Sequence, residues 1–247
     1  MREFSKQFQL RSYEIDFRGK IRPVVILNFL QDAAGDHAAQ IGYSVTDLFK
    51  HNLTWVLSRY HIRILEYPMW RDELQIITWP RGIDGLFALR DFEVKNSDNK
   101  VLIAATSSWM VISLERKRPV RIEENLSNFP IVDRRALVDN FGQLPALETA
   151  ELELPFRVRL NDLDLNRHVN NAVYAEWALE TVPAEILKNY LPVDIEISYR
   201  AEALYGHRVI SRSRLIDSCQ SQTFLHQLLR EKDGKELTRL RSVWKEI

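Results

Sequence analysis

Between Leu160 and Trp177 the chain reads LNDLDLNRHVNNAVYAEW: two aspartates, four asparagines, an arginine and a histidine, then an abrupt turn to apolar residues. Side chains of these types hold cations, build turns or move protons. A carboxylate activates water or attacks directly, an imidazole titrates near neutral pH, and a primary amide orients a water or a carbonyl without titrating. Calcium is excluded by spacing. Asp162, Asp164 and Asn166 alternate like the start of an EF-hand loop, but Arg167 stands where that loop needs glycine and Val173 where it needs glutamate. Zinc needs three or four ligands, and His168 has no histidine or cysteine close by in sequence. No Gly-x-Ser-x-Gly elbow occurs for a serine triad. No metal and no cofactor are therefore expected. A turn followed by a helix cap, with Asn170 or Asn171 as the cap, explains about half of the polar residues. It does not explain His168.

Composition narrows the partners. Lys and Arg number 34, as do Asp and Glu, so no net charge draws the chain to nucleic acid or to an anionic membrane. The basic run ERKRPVR, Glu115 to Arg121, reads as a solvated turn between strands. The lone cysteine, Cys219, excludes an internal disulfide and a thiolate zinc cluster. No apolar stretch approaches the ~20 residues of a membrane helix, and the N-terminus alternates like a strand rather than a signal peptide. A reducing, cytoplasmic setting is expected.

The elements that position the polar run come from a repeat. Lys95–Ile112 and Arg230–Ile247 align at an offset of 135, with Asp98 on Asp233, Lys100 on Lys235, Ser107 on Ser242 and Trp109 on Trp244. Each is a β-run, a polar turn and a second β-run, the signature of a hairpin. Ile62–Ile76 overlays Ile197–Ser211 at the same offset. Earlier in each half comes a β-run, a loop and a helix: Phe8–Phe17 then Pro23 to about Gln40, and Leu154–Leu160 then about Asn170 to Tyr190. The first helix places Val24, Leu27, Leu30, Ala34 and Ala38 at helical spacing, with Pro23 suited to its first turn and Gly42 to its stop. A long helix followed by an antiparallel meander must bury its apolar face on that sheet. The expected organisation is a first repeat over 1–122, a linker over 123–155 and a second repeat over 156–247. The first repeat reads DFRGKIRP where the second has its Asn- and His-bearing loop, so one copy keeps chemistry that the other lacks.

The segment NDLDLNRHVNNAVYAEWALETVP, Asn161 to Pro183, closely resembles the signature of the acyl-acyl carrier protein thioesterases. Leu10–Ser44, Thr54–Trp79 and Ala105–Ser113 resemble that family's first half in the same order. The resemblance implies an α+β fold of two tandem hot-dog repeats, each a long helix wrapped by an antiparallel sheet. It implies hydrolysis of fatty acyl-acyl carrier protein to a free fatty acid, with Asp164, Asn166, His168 and a later-strand glutamate, Glu202, as the working set. Ala203 occupies the position where plant members often carry a cysteine, so a thiol nucleophile is not expected. Either Asp164 attacks the thioester or Glu202 activates water, and the N-terminus of the second helix at Asn170 and Asn171 stabilises the oxyanion. The resemblance also places the acyl chain in the first repeat, with Phe29, Leu30, Trp55 and Leu57 as candidate lining residues. The carrier protein is acidic, which makes Arg167 and Arg200, beside the polar groups, candidates for steering it. Acyl-CoA hydrolysis, dehydration of a hydroxyacyl group and non-catalytic acyl binding are the competing readings. Tandem repeats supply the pairing that single hot-dog chains find by dimerising, so a monomer and a homodimer are both compatible with the sequence.

Overall fold

The computed structural model describes residues 2–126 and 128–247, in two compact units, Met1–Asn140 and Phe141–Ile247. The first unit contains β1 (Phe4–Gln9), α1 (Pro23–Gln40), α2 (Val45–Phe49), β2 (Leu53–Ile64), β3 (Glu73–Asp84), β4 (Phe87–Lys95), β5 (Val101–Ser113), β6 (Arg118–Val120) and the single turn α3 (Ile122–Asn125). Its sheet is antiparallel in the order β1-β3-β4-β5-β2, with β6 beside the end of β5. The second unit contains β7 (Leu152–Arg157), α4 (Asn171–Glu180), α5 (Ala184–Asn189), β8 (Tyr190–Tyr199), β9 (Arg208–Asp217), β10 (Gln222–Arg230) and β11 (Lys235–Glu246). Its order, β7-β9-β10-β11-β8, is that of the first unit again.

The repeat is sharp in the strands. Ile64 and Tyr199 end equivalent strands, Glu73 and Arg208 begin the next, and Phe87 and Gln222 the one after; each pair is separated by 135 residues. Helix α1 has the predicted bounds. Pro23 sits in its first turn, and Gly42 follows it with φ +77°, a conformation that costs glycine nothing. Its buried stripe is Val25, Ile26, Leu27, Leu30, Ala33, Ala34 and His37, rotated slightly from the predicted one, so Val25 and His37 are buried while Val24 and Ala38 are not. His37 faces Arg90 on β4: an Nη1 of that buried arginine lies 2.9 Å from His37 Nδ1 and donates to Thr78 Oγ1 at 3.2 Å. Burial pulls the Arg90 guanidinium down to about 10.

Four expectations need correction. The first β-run is Phe4–Gln9, not Phe8–Phe17, because the chain leaves the β3 edge at Leu10 to form the loop described below. The corresponding strand of the second unit is Leu152–Arg157 rather than Leu154–Leu160. The second helix does not run to Tyr190. It stops at Glu180 and restarts at Ala184, since Pro183 has no N–H to continue the ladder and biases Val182 away from helical ψ. Thr181 Oγ1 then donates to the Trp177 carbonyl at 2.9 Å, satisfying a terminal acceptor. The expected linker is partly structured, taking in α3 after its first residue and the start of β7. Within the first unit its segment 131–140 docks through Val132 N–H to Pro80 O, Trp79 Nε1–H to Arg134 O and Ala136 N–H to the buried Asp91. In the second unit Leu144 O accepts from Arg239 and Glu151 N–H donates to Ser213 O.

Candidate active site

The polar run folds into a tight loop between β7 and α4, built by its own short side chains. Asp162 is buried and accepts from Arg159 N–H at 2.7 Å and from the Arg159 guanidinium at 2.7 Å. Asp164 Oδ1 accepts two backbone N–H groups, from Asn166 at 2.8 Å and His168 at 3.2 Å, while Asp164 N–H donates to His168 O at 2.8 Å. This closes a turn in which Arg167 takes φ +63°. Asn170 caps α4 by accepting Ala172 N–H at 3.0 Å, so the cap is Asn170 and the helix begins at Asn171.

The turn aims His168 at the segment that follows β8. Glu202 lies there, three residues past the end of β8, so the expected strand glutamate is a loop residue. His168 Nε2 is 3.4 Å from Glu202 Oε2, with the two side chains 36% and 59% exposed, a pair open to water. The segments are joined by the bridge His168–Leu204 and by Val169 N–H donating to Ala203 O at 3.0 Å. Behind them Tyr174, buried on α4, accepts Ala203 N–H on its hydroxyl at 2.8 Å. Burial, with the Glu202 and Asp164 charges adding to it, pushes the Tyr174 phenol well above its ordinary range.

Asp164, His168 and Glu202 thus converge, and the Asn166 side chain is exposed on the same turn. Arg167 is exposed beside them, whereas Arg200 is paired with Glu236 at 3.2 Å. In the first unit Leu30 and Leu57 are buried, Phe29 stacks on Phe8 at 4.2 Å, and Trp55 donates to Tyr43 O at 2.8 Å within a cluster that includes Phe129. Phe29 and Trp55 therefore pack in different places.

The same loop exists twice. Residues 11–22, RSYEIDFRGKIR, match 159–170, RLNDLDLNRHVN, at an offset of 148, and α1 and α4 begin at that offset too. Asp16 Oδ1 accepts Arg18 N–H at 2.8 Å and Lys20 N–H at 3.1 Å, as Asp164 accepts Asn166 and His168. Asp16 N–H donates to Lys20 O, Ile21 N–H to Pro68 O, and Lys20 bridges Met69, each the counterpart of a contact in the second loop. What differs is the chemistry. Arg18 stands for Asn166, Lys20 for His168 and Tyr67 for Glu202, with Lys20 Nζ 5.9 Å from the Tyr67 ring. Asp16→Ala is expected to lower stability by about 1–2 kcal/mol, since a largely buried carboxylate that accepts two backbone N–H groups and pairs with Arg18 is lost, while thioester hydrolysis stays at the parent rate. Parallel urea titrations and turnover assays check this.

Tyr174 was not among the sequence-derived residues, and Ala203 was noted only for lacking a thiol. The alignment at 135 pairs Ala203 with Pro68, which was a usable signal; the role of Tyr174 depends on the fold.

Comparison with known proteins gives one direction. Residues 1–129 match the acyl-ACP thioesterase N-terminal domain and residues 146–246 the acyl-ACP thioesterase C-terminal domain. The chain is 31% identical over 281 residues to oleoyl-acyl carrier protein thioesterase 2, chloroplastic, of Arabidopsis thaliana, covering 98% of this chain and 76% of that protein. Its structure is similar to the 12:0-ACP thioesterase of Umbellularia californica, with a TM-score of 0.90, 26% identity and coverage of 99% and 94%. The fold is also that of an acyl-ACP thioesterase from Bacteroides thetaiotaomicron, with a TM-score of 0.87 at 24% identity and 98% coverage of each chain.

Proposed function

Because the chain belongs to the acyl-ACP thioesterase family, we propose that the loop pair 159–170 and 200–207 is where it cleaves the thioester. The protein is a thioester hydrolase that converts fatty acyl-acyl carrier protein to free fatty acid and carrier protein, on two hot-dog repeats. No helix among the described residues is long and apolar enough to cross a membrane.

The observation that carries the assignment of roles is the duplicated loop. Asp16 holds the first loop in a place where lysine and tyrosine have replaced the reactive groups. Asp164 makes the same backbone bonds, so its carboxylate is assigned to holding the turn, and the work of proton transfer falls to His168 and Glu202. A water at the exposed His168–Glu202 pair gives up a proton to the pair as its oxygen attacks the carbonyl carbon. The negative charge that develops on the carbonyl oxygen is met by the Asn166 amide and the positive end of α4. The Asn170 cap already engages the Ala172 N–H, which leaves this task at the terminus to Asn171. Collapse breaks the C–S bond, and the imidazolium returns the proton to the departing thiolate. No covalent acyl-enzyme is needed.

The acyl chain is assigned to apolar side chains of the first unit, with Trp55 and Leu57 on β2 among them. Trp55→Ala is expected to move the preference toward longer chains, with discrimination changing by about 10-fold or more per methylene accommodated. Thiol release from a chain-length panel of acyl carrier proteins and matching acyl-CoAs tests both points. Release from the CoA series alone would overturn the carrier-protein reading.

A further inference from the structure

We propose that Tyr174 is a positioning residue for the hydrolysis: by accepting the Ala203 N–H, its hydroxyl fixes Glu202 where it can share a proton with His168. The inference rests on the assignment of His168 and Glu202 above and adds to it a residue that does not touch the thioester.

In both repeats the segment after β2 or β8 is tied to the loop by a carbonyl: Pro68 O accepts Ile21 N–H at 2.9 Å, and Ala203 O accepts Val169 N–H at 3.0 Å. In both, the next residue bridges the loop, Met69 to Lys20 and Leu204 to His168. In both, a left-handed residue follows, Arg71 at φ +72° and Gly206 at φ +79°, whose N–H returns to Leu10 O or Val158 O. These contacts serve the fold, because they persist where there is no histidine or glutamate to place.

One contact does not persist. Position 68 is a proline and has no N–H, and the helix residue equivalent to Tyr174 is Ile26, a buried hydrocarbon. The bond from Ala203 N–H to the Tyr174 hydroxyl therefore exists only in the repeat that carries Glu202. It acts on the peptide joining Glu202 to Ala203, so it sets the direction in which the Glu202 side chain leaves the backbone. The Glu202 side chain is 59% exposed, so packing does little to set its direction. The ring is held independently of the hydroxyl, edge-on to Trp177 at 5.9 Å and to Tyr199 at 6.1 Å. Tyr199 in turn donates to Asn171 O at 3.1 Å, tying α4 to β8. The phenol thus reaches the glutamate segment from a rigid support.

The test is a double-mutant cycle in the intact enzyme with Tyr174→Phe and Ala203→Pro. Phenylalanine keeps the ring contacts and loses the acceptor; proline loses the donor, as position 68 already does. Each variant is expected to lower kcat by about 10- to 100-fold with KM within about twofold of the parent. The double variant is expected to be no slower than the slower single one, because both remove the same bond. Parent kcat in Tyr174→Phe would overturn the inference, as would a lowered melting temperature with kcat unchanged, or single losses that multiply in the double variant. If Tyr174→Phe does not fold, Ala203→Pro alone decides by the same split between kcat and KM. His168→Ala is measured alongside: full activity there would sink the site assignment itself, whereas an inactive His168→Ala with a fully active Tyr174→Phe would sink only the role of the tyrosine.

Discussion

Replacing His168 by alanine is expected to lower kcat/KM for acyl carrier protein substrates by about 10²- to 10⁴-fold, the usual contribution of a positioned general acid–base. That corresponds to about 3–5 kcal/mol of transition-state stabilisation. The loss should be chemical and not structural. The loop is held by the backbone of residue 168, whose N–H donates to Asp164 Oδ1 and whose carbonyl accepts Asp164 N–H, and both survive truncation of the ring. The side chain is 36% exposed, so little packing is lost. The melting temperature should stay within a degree or two of the parent, and Glu202→Gln should show a comparable drop in turnover with the same intact fold. A His168→Ala enzyme within about threefold of the parent would show that proton transfer runs through another group.

Acid should unfold the protein through the second unit, and His226 sets the window. This residue lies on β10 and is 1% exposed. Trp244 Nε1 donates to Ser242 Oγ at 2.8 Å, which leaves the serine proton free to donate to His226 Nε2 at 2.7 Å. That arrangement suits the neutral ring, and burial outweighs the pull of the Ala178 backbone toward the charged form. Burial accordingly pulls the His226 imidazole down from 6.5 to about 3. Between those values the unfolded chain binds a proton that the folded chain refuses, so stability rises with pH across the window and falls as acid is added. The loss is about 1.4 kcal/mol per pH unit, hence about 2 kcal/mol at pH 5 and about 4–5 kcal/mol by pH 3. Urea midpoints from pH 7 to 4, taken for the parent and for His226→Gln, isolate this contribution, since the carboxylates common to both cancel. Parallel curves for the two proteins would refute it.

How legible this was depends on what each feature is made of. The strands were readable because hairpin turns and alternation are local, and equivalent strands share lengths closely enough for one offset to hold. Helix α1 was readable from Pro23 and Gly42, residues whose backbone preferences mark ends without reference to anything distant. The break at Pro183 was overlooked, although proline carries that signal too, because the family-like run continues through it. Asp164, Asn166, His168 and Glu202 stood out by residue type, but the division of labour proposed for them did not. That required seeing that Asp16 and Asp164 accept the same backbone N–H groups in loops where little beyond Arg11/Arg159 and Asp16/Asp164 is identical. A turn held by one carboxylate and two peptide groups constrains the backbone and leaves the remaining side chains free to diverge. Tyr174 was hidden for a different reason: its partner is a backbone N–H 29 residues away, and no side-chain pattern records such a bond.

The twin loops also have a consequence for mutational tolerance. A turn whose shape depends on one carboxylate presents a robust frame on which neighbouring positions are interchangeable as far as folding is concerned. Arg18, Lys20 and Tyr67 show that three very different side chains fit the frame that elsewhere carries Asn166, His168 and Glu202. In a saturation scan selected for soluble protein alone, both loops should be intolerant at Asp16 and Asp164 and permissive at the three positions between and opposite them. Selection for turnover should then close those three positions in the second loop and leave them open in the first. The duplicated scaffold is in that sense a reservoir of evolvability: one copy can explore new side chains on a backbone that keeps its shape without them, while the other keeps its own set unchanged.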